Sequence, residues 1–167
     1  ISEAVLPGIT PMVAHNSPSL WLSSFPKPSY INHKYSRGYA LIVGGAKMTG
    51  AARLCARAAA RIGAGMVGIA APIEAADIYA CDDPSFLIHR FSDASEFRKV
   101  LQDRRQNTVM IGPGMGLSQM TADMTLTVLA TKKAVVLDAD ALSVFENRSE
   151  ELFAAIEDTP VVITPHE

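Results

Sequence analysis

The chain has 167 residues, 49% of them apolar and 19% charged, with a formal net charge of −2 and 7% aromatics, which suits one domain with a sizeable core and argues against a nucleic-acid surface. Two isolated cysteines, Cys55 and Cys81, give neither a disulfide framework nor a metal-ligand spacing and read as the thiols of a reduced intracellular chain. No apolar run reaches membrane-spanning length and no basic region followed by an apolar core opens the chain, so no membrane partner and no signal peptide are expected, and the chain is assigned to the cytoplasm.

Ile1 to Gly38 is the least periodic stretch and holds Pro7, Pro11, Pro18, Pro26 and Pro28, half of the ten prolines. Proline fixes φ and removes a donor, so residues 1–32 read as an extended linker or an arm laid on a surface, with Trp21, Leu22 and Phe25 as anchors. His33 to Gly38 leads into a first strand, and its basic residues face either an anionic ligand or solvent. Tyr39 to Val43 and Met66 to Ala71 are apolar runs separated by a glycine turn and a helical pattern, which predicts a βαβ unit. In that helix Ala51, Leu54, Cys55, Ala58, Ala59 and Ile62 form the stripe expected against the sheet. Arg53, Arg57 and Arg61 recur four apart on another side and read as a solvated face, with a phosphate patch as the alternative.

The turn from Gly44 to Ala52 leads into a helix N-terminus, where unpaired N–H groups favour an anion. It is not a P-loop: Gly45-x4-Gly50 is followed by Ala51 and Ala52, so the phosphate-binding Lys and the metal-binding hydroxyl are both missing. The G-x-G-x-x-G spacing fails too. What remains is a small-residue turn that either admits a ligand to the backbone or packs a helix tightly on a strand.

Pro72-Ile73-Glu74 is expected to start a short helix to about Ala80, Asp82 to Ser85 to turn, and Phe86 to Ile88 to form a short strand with His89 as a polar end residue. Ser92 to Arg105 reads as a helix capped by Ser92 or Ser95, with Phe97, Val100 and Leu101 on its apolar face. Thr108 to Ile111 is a strand that ends in Gly112-Pro113-Gly114-Met115-Gly116, and a helix from about Ser118 to Thr131 follows. Three glycines in five residues point to ligand contact or a tight turn. Ala134 to Leu137 is the next strand, closing in Asp138-Ala139-Asp140, whose carboxylates share a face if the chain stays extended. Asp140 caps the next helix, to about Glu146, or acts in catalysis; Asp138 is the better candidate to steer a metal-bound phosphate or a substrate hydroxyl. A helix over 150–157 and a strand over 160–164 complete the pattern before Pro165-His166-Glu167. Alternating strands and helices predict an α/β fold whose parallel sheet gathers the turns at 44–51, 112–116, 138–140 and 164–166 on one edge, as a single cleft.

The run HKYSRGYALIVGGAKMTGAARLCARAAARIGAGMV, followed in order by IGPGMG, VVLDADAL and ITPHE, resembles the NAD(P)H-hydrate dehydratase domain of the ribokinase-like superfamily from about His33 onward. The resemblance implies a ribokinase-like three-layer sandwich with a mostly parallel sheet. It further implies repair of hydrated NADH or NADPH, with ADP or ATP and Mg²⁺: the ring hydroxyl is phosphorylated and phosphate is then eliminated. By motif, Gly50, Ala51, Gly112, Gly114, Gly116 and His166 would contact the hydrated nicotinamide. Members of the family continue past TPHE to a GMATGGSGD-like loop whose Asp is the expected base, and that loop lies beyond Glu167. The expectation is therefore an incomplete domain over 33–167, inactive alone, that associates with the remaining segment or forms an oligomer, with residues 1–32 as a connection to a preceding epimerase domain. A ribokinase-like kinase of a small alcohol, and a nucleotide- or cofactor-binding module without catalysis, are the alternatives.

Overall fold

The computed structural model describes residues 14–27 and 29–165, which fall into two units, one ending at Asn32 and the other beginning at His33. In the first unit, Pro18–Trp21 forms one helical turn, α1, with proline at its start. Within this unit the Trp21 indole N–H donates to Asn16 Oδ1 at 3.0 Å and its ring lies 5.7 Å from that of Phe25. Pro7, Pro11 and Pro28 lie outside the described residues.

The second unit runs β1 Tyr39–Val43, α2 Gly50–Ile62, β2 Met66–Pro72, α3 Ala76–Ala80, β3 Leu87–Phe91, α4 Ala94–Leu101, β4 Thr108–Ile111, α5 Gln119–Leu129, β5 Ala134–Asp138, α6 Asp140–Ser143, α7 Ser149–Ile156 and β6 Val161–Thr164. Its strands form one parallel sheet in the order β3-β2-β1-β4-β5-β6. Leu41 stands opposite Gly68 on one side and Val109 on the other. The winding reverses between β1 and β4, so their C-terminal ends flank the crevice in which open α/β sheets bind ligands.

Strand side chains alternate between two cores. Leu41, Val43, Val109, Ile111, Val135 and Leu137 pack with Phe97 and Leu101 of α4, Val128 and Leu129 of α5 and Leu152 of α7. Ile42, Val67, Ile69 and Met110 face Ala52 and Ala56 of α2 and Ala76 and Tyr79 of α3. Helices thus cover both faces, which makes three layers.

Several local expectations shift. The buried side of α2 is shifted from the expected stripe: Ala52 and Ala56 are fully buried and Cys55 and Ala59 of the stripe pack against the same core, whereas Ala51 and Ala58 are exposed and Leu54 and Ile62 stand 66% and 71% exposed. α3 starts at Ala76 rather than at Pro72, because Pro72 is the last residue of β2. α4 is capped by Asp93, whose carboxylate accepts from the N–H groups of Ser95 and Glu96, while Glu96 reaches back to the N–H and hydroxyl of Ser92. α6 ends at Ser143. His89 lies inside β3, half-buried, with Nε2 2.5 Å from the Tyr39 hydroxyl. No helix among the described residues is long and apolar enough to cross a membrane.

Candidate active site at the C-terminal edge of the sheet

The loops that leave β1, β4 and β5 lie side by side and touch through backbone. A Cβ on Gly45 would come within 1.8 Å of the Gly114 carbonyl oxygen, and one on Gly114 within 2.2 Å of the Met48 oxygen. A Cβ on Gly112 would fall 1.7 Å from the Asp138 oxygen. Two of the glycines that the sequence marks for ligand contact, Gly112 and Gly114, therefore serve close loop-to-loop packing, with φ of 131° and 70°. Gly116 differs: it is exposed, and nothing lies within 4 Å of its missing Cβ. Gly50 is likewise open, and the next residue, Ala51, is exposed at the start of α2. The open positions on this ledge are thus Gly50, Ala51 and Gly116, on two loops held in register by Gly45 and Gly114.

Tyr79 holds the first turn from below. Its ring fills the space that a Cβ on Gly44 would need, and its hydroxyl donates to the Gly45 carbonyl oxygen at 2.8 Å. Burial pushes the phenol up to about 12, against the opposing pull of Arg53 and the bond to Gly45, so it stays a proton donor. Sequence patterning could place Tyr79 on a helix but gave no sign of this contact, which joins residues 34 apart.

The two aspartates do not share a partner. Asp138 Oδ1 accepts from the Thr164 hydroxyl at 2.6 Å, linking the ends of β5 and β6. Asp140 is the first residue of α6 rather than its cap; Ala139 holds the cap position, without a side-chain bond, and Asp140 Oδ2 accepts from the Gly116 N–H at 2.7 Å. His166 and Glu167 lie outside the described residues.

The α2 arginines keep a solvated face, with the Arg57 side chain 51% exposed, but two of them also carry a partner. Arg53 and Arg57 both pair with Asp82, whose side chain is fully buried, and Arg53 Nε stands 3.2 Å from Oδ2. Burial pushes the Asp82 carboxyl up, but hydrogen bonds and charge from both guanidinium groups outweigh it and hold it below the usual range. Arg61 is exposed. No three His, Cys, Asp or Glu side chains among the described residues gather as a metal cage.

The sequence profile of the NAD(P)H-hydrate dehydratase family matches residues 40–167. The bifunctional NAD(P)H-hydrate repair enzyme Nnr of Coxiella burnetii is 35% identical over 142 residues, which cover 84% of this chain and 28% of that protein. The ADP-dependent (S)-NAD(P)H-hydrate dehydratase of Xanthomonas campestris is 35% identical over 156 residues, 87% of this chain and 51% of that protein. Among solved structures, a ribokinase-like superfamily protein from Enterococcus faecalis aligns with a TM-score of 0.69 at 22% identity, over 85% of this chain and 50% of the other. The ADP/ATP-dependent NAD(P)H-hydrate dehydratase of Bacillus subtilis, co-crystallized with ATP/Mg²⁺, aligns with a TM-score of 0.61 at 21% identity, over 84% and 62%. These structures show the fold to be the ribokinase-like α/β sandwich, and the chain spans between about a quarter and a half of the two relatives named by sequence. With the glycine turns, the Asp138-Ala139-Asp140 turn and the ordered strands all falling inside the matched region, the chain belongs to the NAD(P)H-hydrate dehydratase family.

Proposed function

We propose that this chain carries the substrate-holding part of an ADP- or ATP-dependent NAD(P)H-hydrate dehydratase, a lyase that returns hydrated NADH or NADPH to the reduced cofactor. The family match over residues 40–167, laid on a ledge whose open positions are Gly50, Ala51 and Gly116, is the observation that supports it. In this reading the hydroxyl on the hydrated ring gives up its proton and attacks the terminal phosphorus of the nucleotide, breaking the phosphoanhydride bond and releasing AMP from ADP or ADP from ATP. The resulting phosphate is lost from one ring carbon as a proton leaves its neighbour, which restores the ring double bond.

The chain's contribution is shape and position. Gly50, Ala51 and Gly116 leave room for the ring to approach backbone, and the start of α2 offers N–H groups to an anionic part of the ligand. Gly112 and Gly114 hold the loops, and Asp138, bonded to the Thr164 hydroxyl, is assigned together with His166 to the substrate. No three His, Cys, Asp or Glu side chains gather among the described residues, and we assign Mg²⁺ to the phosphates of the nucleotide and route no step through it. We assign the protein to the cytoplasm and its nucleotide site to a glycine-rich loop supplied in association with this domain.

The test mixes hydrated NADH with Mg²⁺ and ADP or ATP, in the presence of this chain joined to such a loop, and follows the near-ultraviolet band of the reduced nicotinamide. A nucleotide-dependent rise is expected. Phosphorylated product without that rise would instead assign a small-alcohol type of kinase, and binding without turnover a module that has lost catalysis.

A further inference from the structure

Ala139 has φ 44° and ψ −115°, a conformation that a Cβ disfavours and that glycine adopts freely. This strained residue separates the two aspartates and sends them to different partners. An extended continuation would leave both carboxylates on one face of the strand; instead Asp138 meets Thr164 and Asp140 meets the Gly116 N–H at 2.7 Å. Gly116 is also held from its other end, where its carbonyl oxygen accepts from the hydroxyl of buried Thr121 at 2.6 Å. Both backbone groups of Gly116 are therefore tied down, while the side where a Cβ would stand is open.

We propose that Asp140 is a positioning residue for the hydrated nicotinamide: the strained turn at Ala139 aims its carboxylate at Gly116, clamping that peptide so that the open side of the turn meets the ligand in one geometry. The identity of the ligand rests on the dehydratase reading, whereas the clamp is a property of the free chain. Because its N–H is already taken, Gly116 recognises the ring by shape and not by that donor.

Three variants test this: Asp140→Ala, Asp140→Asn, which keeps an acceptor oxygen, and Ala139→Gly, which relieves the φ strain. Amide hydrogen exchange at Gly116 is read on the ligand-free chain, the Kd for hydrated NADH by calorimetry, and the Tm alongside. Asp140→Ala is expected to speed Gly116 exchange and to weaken binding, each by about tenfold, with Asp140→Asn recovering most of both. Ala139→Gly is expected to raise the Tm while exchange quickens and binding weakens, a combination that a purely structural role would not produce; it carries the same comparison if Asp140→Ala does not fold. Unchanged Gly116 exchange in Asp140→Ala overturns the clamp, and faster exchange with unchanged Kd overturns the positioning role. If the parent chain does not bind hydrated NADH, the dehydratase reading fails, and the clamp is decided by exchange alone.

Discussion

A methyl group added at Gly45 would meet the Gly114 carbonyl oxygen, a backbone atom with no free end to swing aside, whereas one added at Gly50 would meet nothing. Gly45→Ala is therefore expected to push the two loops apart and to destabilise the chain by about 1–3 kcal/mol in urea unfolding. Gly50→Ala, at the first position of a helix, is expected to stabilise it by about 0.4–1 kcal/mol, so any loss of ligand affinity there reports contact with the ligand itself. A second prediction belongs to His89. Burial pushes its imidazole below the ordinary value, with Asp103 opposing and Arg105 assisting. A group whose pKa is depressed by folding binds more protons when unfolded, so stability rises with pH. The neutral His89 contribution is thus fully present above about pH 6.5 and is lost as the pH falls below that value. The thermal midpoint is expected to drop between about pH 7.5 and about pH 5.5, and His89→Gln, which keeps a polar partner for the Tyr39 hydroxyl, to flatten that step.

At the scale of elements, α2 shows what periodicity conveys and what it leaves open. The helix itself, its limits and the two strands beside it were legible from apolar spacing and the flanking glycines. The face it buries was legible only in part: Cys55 and Ala59 of the expected stripe do pack against the core, but hydrophobicity ranks Leu54 and Ile62 above Ala52 and Ala56, and it is the smaller pair that is fully buried. Ala56→Leu is accordingly expected to overpack and destabilise by about 1–3 kcal/mol, and Leu54→Gln to stay within about 0.5 kcal/mol. The opposite order in chemical unfolding would return the buried face to the stripe that hydrophobicity suggests. The cap of α4 has the same origin: Ser92, Asp93 and Ser95 all suit a cap by type, and only the backbone path decides that Asp93 takes it.

In the second unit, the alternation of strands and glycine turns sufficed to gather the C-terminal ends of β1, β4, β5 and β6 on one edge, since parallel strands with right-handed crossovers leave little choice. The bonds that organise that edge, Tyr79 to Gly45, Asp140 to Gly116 and Thr164 to Asp138, join residues 24 to 34 apart and carry no local signature. The same sheet has a feature that only the assembled molecule displays. β6 pairs with β5 alone among the described strands, and its successive residues Val162 and Ile163 are 59% and 53% exposed, so both faces of this edge strand present apolar surface. Unpaired edge backbone flanked by apolar side chains is a template for another strand. The 167-residue chain taken by itself is therefore expected to self-associate through β6, seen as a sedimentation coefficient that rises with concentration. Charge inserted into such an edge opposes pairing while leaving the β5 side intact, so Val162→Lys combined with Ile163→Lys should abolish that rise and change the Tm little. A concentration dependence that survives both lysines would mean that association runs through another surface, and the exposed Leu54 and Ile62 of α2 would be the next to charge.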